Sequence, residues 1–482
     1  MEFPHTFIIR PSAEIGLKTF RKRVVFLRKL EGNICTAFNR SDIPFKLRNG
    51  LRFYFLETSQ PDRAKALLAR IFGISSFSPV VVRCDRDLEK ICEEGEKVLR
   101  NIVSGKTFCV RSRRFGAQKF STREVEVVLG ARLASYGKVK LVNPEITVGV
   151  ELHNSQAFIY WEKISGAKGF PGGVQNKALC LISGGFDSPV AAWRVMRRGV
   201  HVDFIFFNLG GKSAERQVLQ IVKILVEGWG FGQNPKLFVV DFTEVVADLR
   251  LKVQASYAQV ILKRLFMKAA SMIGREIGSH ALVTGEVIAQ VSSQTLPNLD
   301  VITSAASLNL LRPLVAMEKE EIIGQAEKIS TAFLSEKVRE HCSIAQGSPV
   351  IFAKPKKVII EEKKLNDGLL EVAVTKQKVF DIFALEAKDL HKDYLHVDTV
   401  SGSDTLIDCQ VPHLYRAWHA ENALHLDPDN FPKLIGAFDK KKRYVLYCTH
   451  GTVTPQIAEH MQQLGYEAYA FRGGVKQLKE LV

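Results

Sequence analysis

The chain has 482 residues, 46 % of them apolar, and carries 67 Lys and Arg against 51 Asp and Glu, a formal net charge of +16. That length predicts about three domains, and no stretch approaches the roughly 18 unbroken apolar residues a membrane helix needs. The opening Met1-Glu2-Phe3-Pro4-His5 has no basic segment followed by a long apolar one, so the sequence predicts no secretory leader and a cytoplasmic chain, whose excess of positive charge fits a polyanionic partner.

Residues 1–60 read as a small α+β unit. A strand over Thr6 to Arg10 precedes a helix bearing Arg21, Lys22, Arg23, Arg28 and Lys29, with Phe20, Val24, Val25, Leu27 and Leu30 inward; a strand follows over Gly50 to Phe55. Residues 61–165 read as a second α+β unit, with helices near 86–100 and 122–135 and strands over Thr107 to Val110, Lys138 to Leu141 and Thr147 to Leu152. From Val98 to Arg123 there is no acidic residue, while Arg100, Lys106, Arg111, Arg113, Arg114, Lys119 and Arg123 fall there among Phe108, Phe115 and Phe120. Either cluster alone could be a solvated face. Together they favour RNA, with Arg21, Lys22, Arg23, Lys106, Arg111, Arg113, Arg114 and Lys119 as candidate contacts.

Gly166, Gly169, Pro171, Gly172 and Gly173 then mark a junction. Residues 166–350 alternate apolar strands (Ala178 to Ile182, His201 to Phe207, Lys236 to Asp241, Ala281 to Thr284) with amphipathic helices, which predicts a parallel sheet covered on both faces. The first of these strands delivers the chain into Ser183-Gly184-Gly185-Phe186-Asp187-Ser188. Two glycines let the backbone bend tightly, serine hydroxyls add donors, and the helix opening at Pro189-Val190-Ala191 contributes partial positive charge, which together suit pyrophosphate. The run resembles the PP-loop of ATP pyrophosphatases, which split ATP between its α and β phosphates. Gly210-Gly211-Lys212-Ser213 ends like a Walker A loop, but Phe206 stands where the earlier glycine belongs.

Residues 351–394, with Lys354-Pro355-Lys356-Lys357 and Glu361-Glu362-Lys363-Lys364, read as a linker with some local structure, and residues 395–482 as a last α/β unit. In that unit a strand Arg443 to Tyr447 ends at Cys448, and Thr454-Pro455-Gln456 begins a helix. The loop Cys448-Thr449-His450-Gly451-Thr452-Val453 would wrap backbone N–H groups around the sulfur, where a helix terminus stabilises a thiolate or persulfide anion. A buried free thiol is the commoner role for one cysteine; the strand before and the helix after favour the catalytic one. None of the eight cysteines forms a C-x-x-C pair, so no metal site is expected.

The C-terminal segment resembles a rhodanese domain: Leu406-Ile407-Asp408-Cys409-Gln410 is similar to that family's early strand with its aspartate, and Arg472-Gly473-Gly474 to its closing turn. Many members carry arginine where this chain has Gln410, and the active loop has no arginine, which argues against thiosulfate as sulfur donor. Lys106 to Arg114, Val142 to Val148 and Gly169-Phe170-Pro171-Gly172-Gly173 resemble a THUMP domain and its exit. The combination is similar, along essentially the whole chain, to bacterial tRNA 4-thiouridine synthetases. That resemblance implies an N-terminal ferredoxin-like domain (1–60), THUMP (61–165), a PP-loop adenylation domain (166–350), a linker (351–394) and a rhodanese-like domain (395–482).

By the same resemblance, Leu181, Ile182, Ser183, Gly184, Gly185, Ser188, Phe206, Phe207, Lys263, Gly285 and Gln294 serve ATP. Asp187 positions Mg²⁺ or polarises the adenylation of the base. Cys448 carries the persulfide and Cys342 resolves it through a transient disulfide. The partners implied are tRNA, modified at its eighth position, a cysteine desulfurase as persulfide donor and a thiol reductant; a homodimer is expected, and a branch to the thiazole of thiamine is implied. Two other readings stay open on the residues alone: another PP-loop ligase or amidotransferase, and a sulfur-carrier or RNA-binding adaptor with a silent ATP site. Against the former stands the absence of a cysteine after Met1; against the latter stand the intact Ser183, Asp187 and Lys263.

Overall fold

In a computed structural model, residues 3–50, 53–115, 120–153, 155–209, 211–335, 348–390, 395–426, 438–449 and 454–481 are described. The chain forms two compact units, Met1–Phe170 and Pro171–Val482, each built on two sheets.

The first sheet of the N-terminal unit has the strand order Ile164–Ser165, Ile74–Val80, His5–Pro11, Phe53–Thr58, Phe45–Gly50, with antiparallel neighbours throughout. Phe7, Ile8 and Ile9 of its central strand are fully buried. Helix Phe20–Arg40 turns Phe26, Leu30, Ile34, Ala37 and Phe38 inward, a stripe at three- and four-residue spacing. Phe20 and Val25, expected inward, are instead 77 % and 59 % exposed, because the stripe begins at Phe26 and runs toward the C-terminal half of the helix. This sheet also extends past residue 60. Ile74-Ser75-Ser76-Phe77-Ser78-Pro79-Val80 belongs to it although half polar, since Arg10 donates to the buried Ser78 hydroxyl at 3.0 Å.

The second sheet runs Val82–Asp85, Gln156–Tyr160, Ile146–Leu152, Thr107–Arg114, Lys138–Val139, and is mixed: the last three strands are parallel, the others antiparallel. Helices Leu88–Val103 and Thr122–Leu133 cover it, the second opened by a capping box between Ser121 and Glu124. Arg10 grips Glu151 across the two sheets through Nε at 3.1 Å and Nη2 at 2.7 Å, and Arg83 reaches Glu57 at 3.0 Å.

In the C-terminal unit the larger sheet is ordered Asn309–Leu311, Ala281–Val283, Lys177–Leu181, His201–Asn208, Lys236–Asp241, Lys378–Asp381. Its first five strands are parallel, as the alternation predicts, and the order reverses between Lys177–Leu181 and Ala281–Val283. A ligand crevice in such a sheet lies at the carboxyl ends of the strands flanking that reversal. Leu179, Ile205 and Val240 pack against Ile261, Leu265, Ala269 and Ile273 of helix Ala255–Glu276.

The segment read as a linker is part of this domain. Helices Pro355–Glu362 and Leu369–Thr375 place Val358 and Val374 in the same core, and Lys378–Asp381 adds an antiparallel edge strand. The charges that made it look like a linker are engaged: Glu361 accepts from the Gln254 N–H at 2.9 Å, and Glu362 pairs with Arg264 at 2.9 Å and Lys268 at 2.7 Å.

The last sheet, His396–Val397, Glu467–Phe471, Arg443–Tyr447, Thr405–Asp408, Leu424–His425, is wholly parallel. It shares a hydrophobic cluster with the larger domain: Ile221, Phe333 and Leu334 pack with Ile407, Tyr444, Leu446, Cys448 and Ile457. Helix Gly211–Trp229 supplies Ile221 to that cluster and is itself held to the larger domain, with Gln217 donating to the Leu334 carbonyl at 2.9 Å and Lys223 to those of Ile382 and Leu385 at 3.0 and 3.1 Å.

Candidate active sites

Strand Lys177–Leu181 and helix Asp187–Met196 flank the glycine-rich loop at the carboxyl end of the sheet. The loop is closed by its own serines. The Ser183 N–H donates to Ser188 Oγ at 2.8 Å, the two hydroxyls lie 3.1 Å apart, and the Gly185 N–H reaches Ser183 Oγ at 3.4 Å. Gly285, just past Ala281–Val283, presses on the start of the helix: a Cβ there would lie 2.7 Å from the Asp187 carbonyl carbon and 2.8 Å from the Ser188 nitrogen. A side chain at 285 therefore has no room.

Asp187 is clamped from two sides, by Lys319 Nζ at 2.8 Å from Oδ1 and by Gln290 Nε2 at 3.2 Å from Oδ2. Next to Gly285, the buried Glu286 takes Lys263 Nζ on Oε1 at 3.2 Å and Arg312 Nε on Oε2 at 2.8 Å, with the Thr284 hydroxyl at 3.2 Å. Burial pushes the Glu286 carboxyl up, but Lys263 and Arg312 overcome it and hold it below the usual carboxylate range. Two cations on one carboxylate leave a surplus positive charge beside the loop, as an anionic substrate requires.

Gln294 closes a short turn from Ser292, and its buried Oε1 has no hydrogen-bond partner, nor has Ser293 Oγ. Leu181 and Ile182 end the central strand, the Ile182 N–H donating to the Ile205 carbonyl at 2.9 Å. Phe206 and Phe207 are both buried; Phe207 stacks on Phe266 at 4.4 Å and meets Phe242 edge-on, so its ring belongs to the domain core. Sequence reasoning passed over Lys319, Gln290, Glu286 and Arg312 as functional residues. Lys319 sits in Met317-Glu318-Lys319-Glu320, which reads as a solvated helix start, and its contact with Asp187 bridges 132 residues.

Cys448 is buried at the end of Arg443–Tyr447, ahead of helix Thr454–Gln463. Its carbonyl accepts the Val475 N–H at 3.2 Å, and Gly474, at φ 59°, brings the Arg472-Gly473-Gly474 turn so close that a Cβ would lie 2.7 Å from the Thr449 oxygen. Thr454, the first residue of the helix, is fully buried with its hydroxyl unpartnered. His450, Gly451, Thr452 and Val453, and also Cys342, lie outside the described residues. Burial pushes the Cys409 thiol well up, and Cys448 adds to it, so Cys409 is the inert neighbour in this pair.

In the N-terminal unit, Arg21, Lys22, Lys106, Arg111, Arg113 and Arg114 are exposed, and Arg111 donates to the Leu141 carbonyl at 2.8 Å. Arg23 instead turns back onto the Gly16 and Lys18 carbonyls at 2.8 and 3.2 Å, and Lys119 lies outside the described residues. The interleaved aromatics are packing groups: Phe108 is fully buried, and Phe115 stacks on His153 at 4.8 Å.

The family profile described as Thiamine biosynthesis protein (ThiI) matches residues 173–366, a THUMP domain residues 85–162, a Rhodanese-like domain residues 386–481 and a ThiI ferredoxin-like domain residues 6–78. The chain is 33 % identical to a tRNA sulfurtransferase of Desulfurococcus amylolyticus over 98 % of each chain. The chain belongs to the tRNA sulfurtransferase family. Another member, from Psychromonas ingrahamii, is 34 % identical over 96 % of this chain and 98 % of its own. A solved 4-thiouridine synthetase, in complex with RNA and with bound ATP, superposes with a TM-score of 0.70 at 28 % identity, covering 78 % of this chain and 99 % of that one. Among the described residues of this tRNA sulfurtransferase family member, no helix is long and apolar enough to cross a membrane.

Proposed function

We propose that the chain converts the uridine at position eight of tRNA to 4-thiouridine, using ATP to activate the base and Cys448 to carry the sulfur. The observation that carries this reading is the cationic cluster of Lys263 and Arg312 on Glu286 beside the Ser183–Ser188 loop, in one unit with a cysteine set at a strand-to-helix turn. The 4-thiouridine synthetase with bound ATP supports it.

The C4 carbonyl of uracil is a poor electrophile. Its oxygen attacks the α-phosphorus of ATP, the bond to the β-phosphate breaks, and pyrophosphate leaves with the charge. Loop N–H groups, Lys263 and Arg312 face that charge and stabilise it. Leu181, Ile182, Phe206, Gly285 and Gln294 shape the remaining nucleotide site, the orphaned Gln294 Oε1 being an acceptor suited to an exocyclic amine. The described residues do not build a protein-held Mg²⁺ site: Asp187 is already engaged by Lys319 and Gln290, and no cluster of three metal-ligating side chains occurs among them. Asp187 instead orients the Lys319 ammonium at the loop.

Sulfur arrives as a persulfide on Cys448, with a cysteine desulfurase as the proposed donor. The Cys342 thiolate attacks the Cys448 sulfur, their disulfide forms, and the outer sulfur leaves as hydrosulfide, which attacks C4 and expels AMP. A dithiol reductant supplies two electrons to reopen the disulfide. Phe333 and Leu334 share a hydrophobic cluster with Cys448, and the seven steps of chain from Ser335 to Cys342 span at most about 25 Å, so the chain is long enough to bring the two thiols together. The same persulfide would supply thiazole synthesis without the loop. The test follows labelled persulfide sulfur into tRNA: transfer is expected with ATP and lost in Cys448→Ala, and full transfer by that variant would overturn the mechanism.

A further inference from the structure

Gln290 is half of the clamp on Asp187, and the chemistry above gives it no task of its own. It stands on a loop that is pinned at several points. The Ala289 N–H donates to the Gln294 carbonyl at 2.9 Å, and the Gln294 N–H to that of Val291 at 2.8 Å. The Ser292 hydroxyl donates to Gln259 Oε1 at 3.1 Å, and the Ser292 carbonyl accepts Nδ2 of the fully buried Asn298 at 2.7 Å. Ser293 and Gln294 are buried, while Gln290 is exposed. Ala289 has φ 63°, in the left-handed region where an alanine is strained, so the surrounding fold holds strain at the residue that turns Gln290 toward Asp187.

The contact with Asp187 fixes which way the amide faces. A carboxylate only accepts, so the Gln290 amino group meets Oδ2 at 3.2 Å and its Oε1 faces away. That oxygen has no hydrogen-bond partner among the described residues. Lys319 holds the other carboxylate oxygen, Oδ1, at 2.8 Å. Asp187 therefore sets a donor, the Lys319 ammonium, beside an acceptor, Gln290 Oε1, at the start of the helix that follows the glycine-rich loop. Uracil presents the complement of that pair: its C4 oxygen accepts, and the neighbouring N3–H donates. O4 must reach the α-phosphorus at the loop, which brings O4 to the Lys319 side of Asp187 and N3–H to the Gln290 side. Cytosine in the same place would turn an amine on the ammonium and a bare ring nitrogen on Oε1, donor against donor and acceptor against acceptor.

We propose that Gln290 recognises the target base: its Oε1 accepts the uracil N3–H, which selects uracil and assists its activation. This rests on the reading of the loop as the place where uridine is adenylated. As the bond from O4 to the α-phosphorus forms, the bond to the β-phosphate breaks and pyrophosphate leaves with that electron pair. The base is left with a positive charge shared between C4 and N3–H, which the amide oxygen stabilises more than it does the neutral base. The N3 proton then passes to water at this exposed position, leaving a double bond between C4 and N3.

The test uses the full-length chain with saturating ATP and tRNA but no sulfur donor, so that adenylation alone is read, as pyrophosphate released in a single turnover. Two tRNAs differ only at the eighth base, uridine in one and N3-methyluridine in the other. Gln290→Met keeps the length of the side chain and removes its amide. It is expected to slow release from the uridine tRNA about tenfold, as loss of one hydrogen bond to a charged group does. On the N3-methyluridine tRNA, which has no N3–H to lose, the same variant should change the rate by less than about twofold, since the two changes remove one contact. Any effect of the methyl group on the folding of the tRNA is common to both chains and cancels. Equal slowing on both tRNAs would mean that Gln290 only holds Asp187, and a native rate on uridine that it is idle; either result overturns the proposal. If N3-methyluridine tRNA releases no pyrophosphate with either chain, ATP affinity in equilibrium dialysis decides: slower release from uridine with native affinity bears the proposal out, and weakened affinity overturns it. No tRNA-dependent release by the native chain would overturn the reading of the loop itself, and this inference with it.

Discussion

Lys319 owes its place to Asp187, and Asp187 to Lys319. The 2.8 Å pair is partly exposed and contributes little to stability, so on the proposed function its value would lie in aiming an ammonium at the loop. Lys319→Met is expected to lower tRNA-dependent AMP formation by about 100-fold, as removal of one preorganised donor to developing charge does, with an unchanged melting temperature. A loss smaller than threefold in single-turnover assays would show that the clamp is not used. Gly285→Ala should act through geometry instead. The nearest atoms to the new Cβ are backbone, at 2.7 and 2.8 Å, so the Asp187–Ser188 turn must shift. A weakened ATP affinity in equilibrium dialysis is expected; native affinity would refute the close approach. The Ser183–Ser188 loop is legible in the sequence because its chemistry is local: strand, glycines, hydroxyls and helix are consecutive. Lys319 and Arg312 are not, since nothing near either residue announces a carboxylate more than twenty positions away.

Helix Pro355–Glu362 shows how a run of charge conceals a packed element. Val358 and Glu361 face inward, and Glu361 is fully buried against Lys357 at 3.0 Å, Lys364 at 2.7 Å and the Gln254 N–H. Burial pushes that carboxyl up, but the bonds from Lys364, Gln254 and Lys357 outweigh it and bring it down to about 2 from 4.5. A carboxylate depressed in the folded state contributes stability that is whole above its unfolded value and is lost as pH falls through the folded one. The contribution of Glu361 is thus full above pH 4.5 and fades toward pH 2. Glu361→Gln should lower the melting temperature near neutrality, and its difference from the native chain should shrink as pH drops through that window. A difference independent of pH would mean that the ion pairs are idle. The helical period escapes a reading of the sequence because four of its eight residues are charged, and the apolar positions become meaningful only against helix Ala255–Glu276. Strands Lys177–Leu181 and Lys236–Asp241, by contrast, hold the uninterrupted apolar runs Ala178 to Leu181 and Leu237 to Val240 and stand out without their neighbours.

The net charge of +16 belongs to the molecule, yet the N-terminal unit sorts it into residues free to meet phosphate and residues already spent. Arg113 and Arg114 are exposed at the end of strand Thr107–Arg114, with Arg111 and Lys106 exposed on the same element or just before it. Arg23, from a cluster that looks equivalent in the sequence, is committed to the Gly16 and Lys18 carbonyls and so caps the preceding turn. If binding of tRNA proceeds by counterion release, each lost phosphate contact flattens the dependence of log Kd on log salt by about 0.7 to 0.9. Replacing Arg113 and Arg114 together by alanine should therefore reduce that slope by about 1.5 and weaken binding most at low salt. Arg23→Ala should leave the slope unchanged and lower the melting temperature, because what it removes is two hydrogen bonds inside the fold. Titrations of full-length chain with tRNA at several salt concentrations separate the two. Equal slopes for the native chain and the Arg113/Arg114 variant would remove this strand from the RNA interface, and a flattened slope for Arg23→Ala would mean that its guanidinium leaves the carbonyls to reach phosphate.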